Sequence, residues 1–141
     1  MEENVDVRMR TLRTLWIGLF FSSVIYYGLT FFIARPEERE PNNTLFLVLL
    51  AVAVTSSLAS FIIKSNFLSR AEQQQQVQMV QQGYVVSWAL NEVAALLGLL
   101  DYFLTADRYY HVLFFIALLG ILVHFPRRDH VLSAAYKQPG F

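Results

Sequence analysis

Asn91, Glu92 and Asp101 stand inside an otherwise apolar run, YVVSWALNEVAALLGLLDYFL, over residues 84–104. About 20 apolar residues cross a hydrocarbon core roughly 30 Å thick, and an ionised carboxylate at that depth costs about 3 kcal/mol or more. A carboxyl group placed there has two uses. It stays protonated and hydrogen-bonds between helices, or it exchanges a proton or cation with polar neighbours. Glu92 is therefore the first candidate site residue, with Asn91 beside it. Asp101 lies nine positions on, within one turn of the end of the run, and is expected to reach headgroup water or to pair with Arg108 or His111.

The elements that must position Glu92 follow from the rest of the chain. The 141 residues are 55% hydrophobic and 15% aromatic, which is the composition of a membrane protein. Lys+Arg and Asp+Glu balance at 11 each, so no net field points to nucleic acid. With no cysteine there are no disulfides, thiolate metal sites or thiol nucleophiles. The first apolar run is too long for a signal-peptide core and is expected to remain in place as a helix.

Four helices are predicted, over residues 14–34, 44–63, 84–104 and 108–125. The proline-containing loop RPEEREPNN joins the first two, and the short TAD turn joins the last two. Asn42-Asn43-Thr44 matches a glycosylation sequon that is expected to be fortuitous. The glutamine-rich connection 65–83 reads as a solvated helical extension or as a low-complexity linker, with Gly83 as a joint. The tail after Pro126 is mildly amphipathic and is expected to lie along the membrane surface.

The N-terminal tail, the 64–83 connection and the C-terminal tail hold eight cationic residues, against three in the two short loops. That places both termini in the cytoplasm. The predicted fold is an all-α integral membrane four-helix bundle, up-down-up-down, in a bacterial inner membrane.

In this arrangement Glu92 lies about 12 Å into the core. Ser22 and Ser23 on helix one, and Ser56, Ser57 and Ser60 on helix two, fall within about one turn of the same level. Ser22, Ser23, Ser56 and Ser57 are thus candidate partners of Glu92 in holding a proton or cation. Such hydroxyls also bond commonly to their own backbone. Ala94 and Gly98, a small-xxx-small pair, are candidate packing positions, as are Ala51 and Ala53 in the small-residue stretch of helix two. Arg127 and Arg128 are expected to anchor the inner boundary and to hold anionic lipid headgroups. His124 and His130 have no third ligand nearby, so no metal or other cofactor is expected. No phosphate loop, nucleophile elbow or metal-binding helix signature occurs, and an enzyme is not expected.

Ala89 to Leu100, ALNEVAALLGLL, resembles the ion-binding helix of the proteolipid c/K subunits of rotary ATPases, where a carboxylate follows small apolar residues and precedes a glycine by six positions. Ala51-x-Ala53-x-Thr55-x-Ser57-x-Ala59 is similar to the small-residue repeat of that family's inner helix. The resemblance implies that Glu92 is the ion-carrying acid and Gly98 the packing glycine. Helix two has no glycine, Asn91 stands where the family has proline, and the 65–83 connection is longer than the family's turn. The ending HFPRR, His124 to Arg128, also resembles that of small four-helix bacterial membrane proteins.

Three functions are compatible with these features. The first is a helical subunit that packs with itself or with other membrane chains in the lipid bilayer. The second is a proton- or cation-translocating proteolipid using Glu92. The third is a lipid- or quinone-associated accessory subunit of an electron-transfer complex.

Overall fold

Apolar stretches bounded by charge and proline fold into helices because a helix satisfies its backbone within itself. A computed structural model describes residues 2–34, 42–105 and 108–136. These residues form α1 (Glu2–Phe32), α2 (Asn43–Gln74), α3 (Val77–Leu104), α4 (Tyr110–Val123) and α5 (Arg128–Ala135), with no strand among the described residues. α1, α2 and α3 are each long and apolar enough to span a membrane, and α4 with α5, bent by 48°, makes a fourth if the pair is one span. Most of the 35–43 loop, the TAD turn beyond Thr105, and the tail from residue 137 lie outside the described residues.

The helices run well past their apolar segments. α1 has 31 residues, about 45 Å, and includes the charged stretch before Thr14. The glutamine-rich connection is helical on both sides of one break. α2 continues through Gln74, Gln75 takes the left-handed conformation at φ 53°, and α3 resumes at Val77. Gln75 closes α2 because its backbone N–H and that of Gln76 reach back to Glu72 and Ala71. Asn42 of the sequon is the N-cap of α2, its side chain accepting from Leu45 N–H at 3.0 Å.

Gly83 is no joint. It sits inside α3, buried, where a Cβ would lie 2.7 Å from Phe67 Cβ and 3.7 Å from the Lys64 carbonyl oxygen of α2. Phe67 Cβ is anchored to its own backbone and cannot swing away, so Gly83→Ala must push α2 from α3. We expect a loss of about 1–3 kcal/mol, measured as a shift in equilibrium unfolding in mixed detergent and sodium dodecyl sulfate micelles.

Buried apolar side chains form two clusters. One contains Val5, Met9 and Leu12 of α1, Ala71 of α2, Tyr84 and Trp88 of α3, and Val131 of α5. The other contains Phe46 and Ala53 of α2, Ala94 and Tyr102 of α3, and Leu113 and Ala117 of α4, with Tyr26 and Tyr27 of α1 packed against it. Each of α1, α2 and α3 passes from one cluster to the other, as does the pair α4–α5. The buried residues of α3 follow a heptad-like seam, Val80, Tyr84, Ser87, Asn91, Ala94, Gly98 and Asp101. Polar residues occupy the stretch between the clusters on all four paths.

Candidate functional site

Asn91 is the centre of the polar layer. It is fully buried on the α3 seam. Its Nδ2 donates to Ser60 Oγ at 3.0 Å and to the Ser87 carbonyl at 2.8 Å, while Oδ1 accepts from Ser57 Oγ at 2.8 Å. Two of these partners are on α2, and α4 presses on the amide from the other side. Gly120 leaves no room for a side chain there, since a Cβ would overlap Asn91 Oδ1 and Cγ. Asn91 thus reads three helices at once, and every amide hydrogen-bonding atom has a partner.

The network continues to α4 through His124, which is fully buried. Its Nδ1 faces the Gly120 carbonyl at 2.7 Å, a contact that requires a proton on Nδ1. Nε2 lies 3.3 Å from Ser60 Oγ, and the ring packs against Phe61 at a tilt of 57°, centroids 4.4 Å apart. Ser60 also donates to the Ser57 carbonyl at 2.6 Å, and Ser87 donates to the carbonyls of Gly83 and Ser60 at 2.7 and 3.1 Å. Two indoles close the end of α4. Trp16 Nε1 donates to the Ile121 carbonyl at 2.8 Å and Trp88 Nε1 to the His124 carbonyl at 2.9 Å, supplying donors for carbonyls that lack intrahelical partners.

Glu92 is not sealed in this core. It is half-buried, one position round the helix from Asn91, which is a rotation of about 100° toward α1. Ser22 Oγ donates to its Oε1 at 2.5 Å, and among the described residues this is its hydrogen bond. The expected buried carboxylate is therefore corrected: the residue walled in at this level is the amide, Asn91, and the acid lies at an edge of the bundle. Of the two expectations for Asp101, the first is corrected in the opposite sense. Instead of reaching headgroup water, Asp101 is fully buried on the Asn91 seam, where Thr105 Oγ1 donates to its Oδ1 at 2.8 Å. Steps of three, four and three residues bring positions 91, 94, 98 and 101 to one side of α3.

The serines divide by the same rotation. Ser22 reaches Glu92, and Ser57 reaches Asn91. Ser23 is buried, yet its hydroxyl makes no hydrogen bond among the described residues. Ser56 does not join the layer, since it faces a shallow recess on α2 with Ala51, Val52 and Thr55. Ala51 is exposed, whereas Ala53 and Ala94 are fully buried. Gly98 is buried against α4, where a Cβ would meet the Phe114 ring at 3.0 Å and Leu113 Cβ at 3.2 Å. Arg127 and Arg128 are exposed, and Arg128 pairs with Asp6 at 3.2 Å.

Four contributors, Ser87, Gly120, His124 and the two tryptophans taken together, were not among the sequence candidates for this layer. The signal available for Ser87 was its place four residues before Asn91 on the seam. Gly120 and His124 share the same four-residue spacing on α4. Among the described residues no cluster of three or more His, Asp or Glu side chains is arranged to hold a metal ion. No family model matches this chain, and neither a curated protein nor a solved structure does.

Proposed function

We propose that this chain is an integral subunit that works in a homo-oligomer or with other membrane proteins, and that the Glu92–Ser22 edge is where a neighbour completes a polar contact. The observation that carries this reading is the half-buried state of Glu92. A carboxyl group within an apolar run, covered on one side only and held by one hydroxyl, remains costly until its open side meets another polar group. Large apolar side chains beside it on α1, among them Phe21 and Ile25, are exposed and extend the edge.

The same proposal includes an up-down-up-down order of four crossings with both termini cytoplasmic in the inner membrane. Contact registers support it. Ser22 meets Glu92 and Tyr102 meets Ile33, so α1 and α3 run together. Ser57 meets Asn91 and Phe67 approaches Gly83, so α2 runs against α3. Trp88 meets His124 while Gly98 meets Phe114, so α4 also runs against α3.

Isolation in mild detergent tests the proposal. The wild-type protein is expected to run as a multimer or with partner chains. Glu92→Gln, which keeps a hydrogen-bonding group, should assemble normally, and Glu92→Leu should weaken assembly about tenfold, as one strong interhelical hydrogen bond does in a membrane. A lone monomer for the wild type overturns the reading. The short Ser22–Glu92 bond also favours a second reading, a proton- or cation-translocating proteolipid. That reading requires a carbodiimide to label Glu92 and requires Glu92→Gln to abolish ion flux in vesicles.

A further inference from the structure

A second polar site lies where α2 meets α5. Residues 44–63 carry no charge, so Lys64 is the first cation at that end of the α2 apolar run. A groove there is lined by Phe61, Lys64, Ser69 and Glu72 of α2 and by His130 and Ser133 of α5. Lys64 Nζ stands 4.9 Å from the centroid of the Tyr84 ring. The Tyr84 hydroxyl accepts from Arg127 N–H at 3.1 Å and lies 2.6 Å from His130 Nδ1. Lys64, His130 and the backbone N–H of Arg127 therefore meet at one tyrosine, and the Arg127 charge acts on both of the other side chains.

This cluster lacks a counter-ion. Among the described residues the salt bridge is that of Arg128 with Asp6, and neither Lys64 nor Arg127 has a carboxylate within salt-bridge distance. Glu72 is eight residues beyond Lys64, about 12 Å along α2. Asp129 is exposed beside His130 and acts on that ring. Lys64 is half-buried, a condition that a cation–π contact relieves in part. Apolar side chains Leu58, Phe61 and Ile62 lie exposed on the bilayer side of Lys64. Paired cations above an apolar strip are complementary to a phosphate carrying acyl chains.

We propose that this groove binds the headgroup phosphate of an anionic phospholipid, with Lys64 as the cation that lines it, Arg127 at the start of α5 as a second cation reaching the phosphate from outside the lining, His130 Nε2 as a further contact, and the acyl chains over Phe61 and Ile62. An anionic rather than a zwitterionic lipid fits because, among the described residues, neither Lys64 nor Arg127 has a carboxylate within salt-bridge distance. Arg128, already paired with Asp6, is left out of the site.

Native mass spectrometry of the full chain, delipidated in mild detergent and titrated with phosphatidylglycerol or with phosphatidylcholine of the same acyl chains, tests it. Phosphatidylglycerol should reach half-occupancy at about a tenfold lower concentration. Lys64→Gln and Arg127→Gln should each weaken it about fivefold, while Lys64→Arg and Arg128→Gln should bind as wild type. Arg127 is exposed, so its variant reports on binding even where Lys64→Gln loosens α2. Equal affinity for the two lipids, or unchanged affinity in Arg127→Gln, overturns the proposal. Displacement of the lipid by millimolar inorganic phosphate would overturn it also, by showing a site for free phosphate.

Discussion

Gly120→Ala is expected to destabilise the fold by about 3 kcal/mol, at the upper end of the range for overpacking a core. The added methyl would occupy the space of Asn91 Oδ1 and Cγ and lie 3.2 Å from Asn91 Cβ. The amide has nowhere to go, because its other atoms are bonded to Ser57, Ser60 and the Ser87 carbonyl. Either α4 withdraws from α3, opening the contacts of Trp88 and His124, or Asn91 abandons its partners. Both responses expose buried polar groups to an apolar interior, where each is costly. Equilibrium unfolding in mixed micelles measures the loss. A change below about 0.5 kcal/mol would show that the amide is not held between α2 and α4 as described.

Asn91→Ala is the second large effect, about 2 kcal/mol. Three hydrogen bonds vanish together, two of them to α2, and interhelical bonds in membranes are worth about 0.6 kcal/mol each on average, with an upper value near 1.7. Among the described residues the other polar link between α2 and α3 at this level is Ser87, which donates to the Ser60 carbonyl. The two substitutions should not add. Once Asn91 is shortened, the Gly120→Ala methyl gains room, so the double variant is expected to be no less stable than Gly120→Ala alone, and more stable than the sum of both losses by at least about 1 kcal/mol. Strict additivity would separate the two residues and sink the account of the layer. Glu92→Gln in the same assay should change monomer stability little, since Gln still accepts from Ser22 and the side chain is half-exposed.

The contrast between Asn91 and Glu92 shows what kind of information each level holds. Sequence distance along a helix gives depth directly, at 1.5 Å per residue. For that reason Ser22, Ser23, Ser56, Ser57, Ser60, Asn91 and Glu92 were recognisable as one level before any fold was known, although Ser23 and Ser56 make no bond within it among the described residues. The runs 14–34, 44–63 and 84–104 likewise disclosed α1, α2 and α3, because about 20 mostly apolar residues in a row have few other uses. The helical character of the glutamine stretch followed from propensity, although the break at Gln75 and Gln76 carried no glycine or proline to announce it.

Rotation about the helix axis was another matter. In a soluble helix the polar face marks the outside, but α3 is apolar nearly all round, so alternation of polarity gives no angle. The costliest residue, Glu92, was therefore the natural centre, and Asp101 the natural surface anchor. Packing reversed both. The two tight approaches, Gly83 to Phe67 and Gly120 to Asn91, require the seam through Gly83, Ser87 and Asn91 to face α2 and α4. That seam carries Asp101 inward and turns Glu92 toward α1 and the bundle edge. Composition and spacing by themselves determined which segments are long and apolar enough to cross a membrane and at what level polarity gathers along them. Only the fit of helix against helix decided which of two adjacent polar side chains is enclosed, because that choice depends on a close approach between residues far apart in the chain.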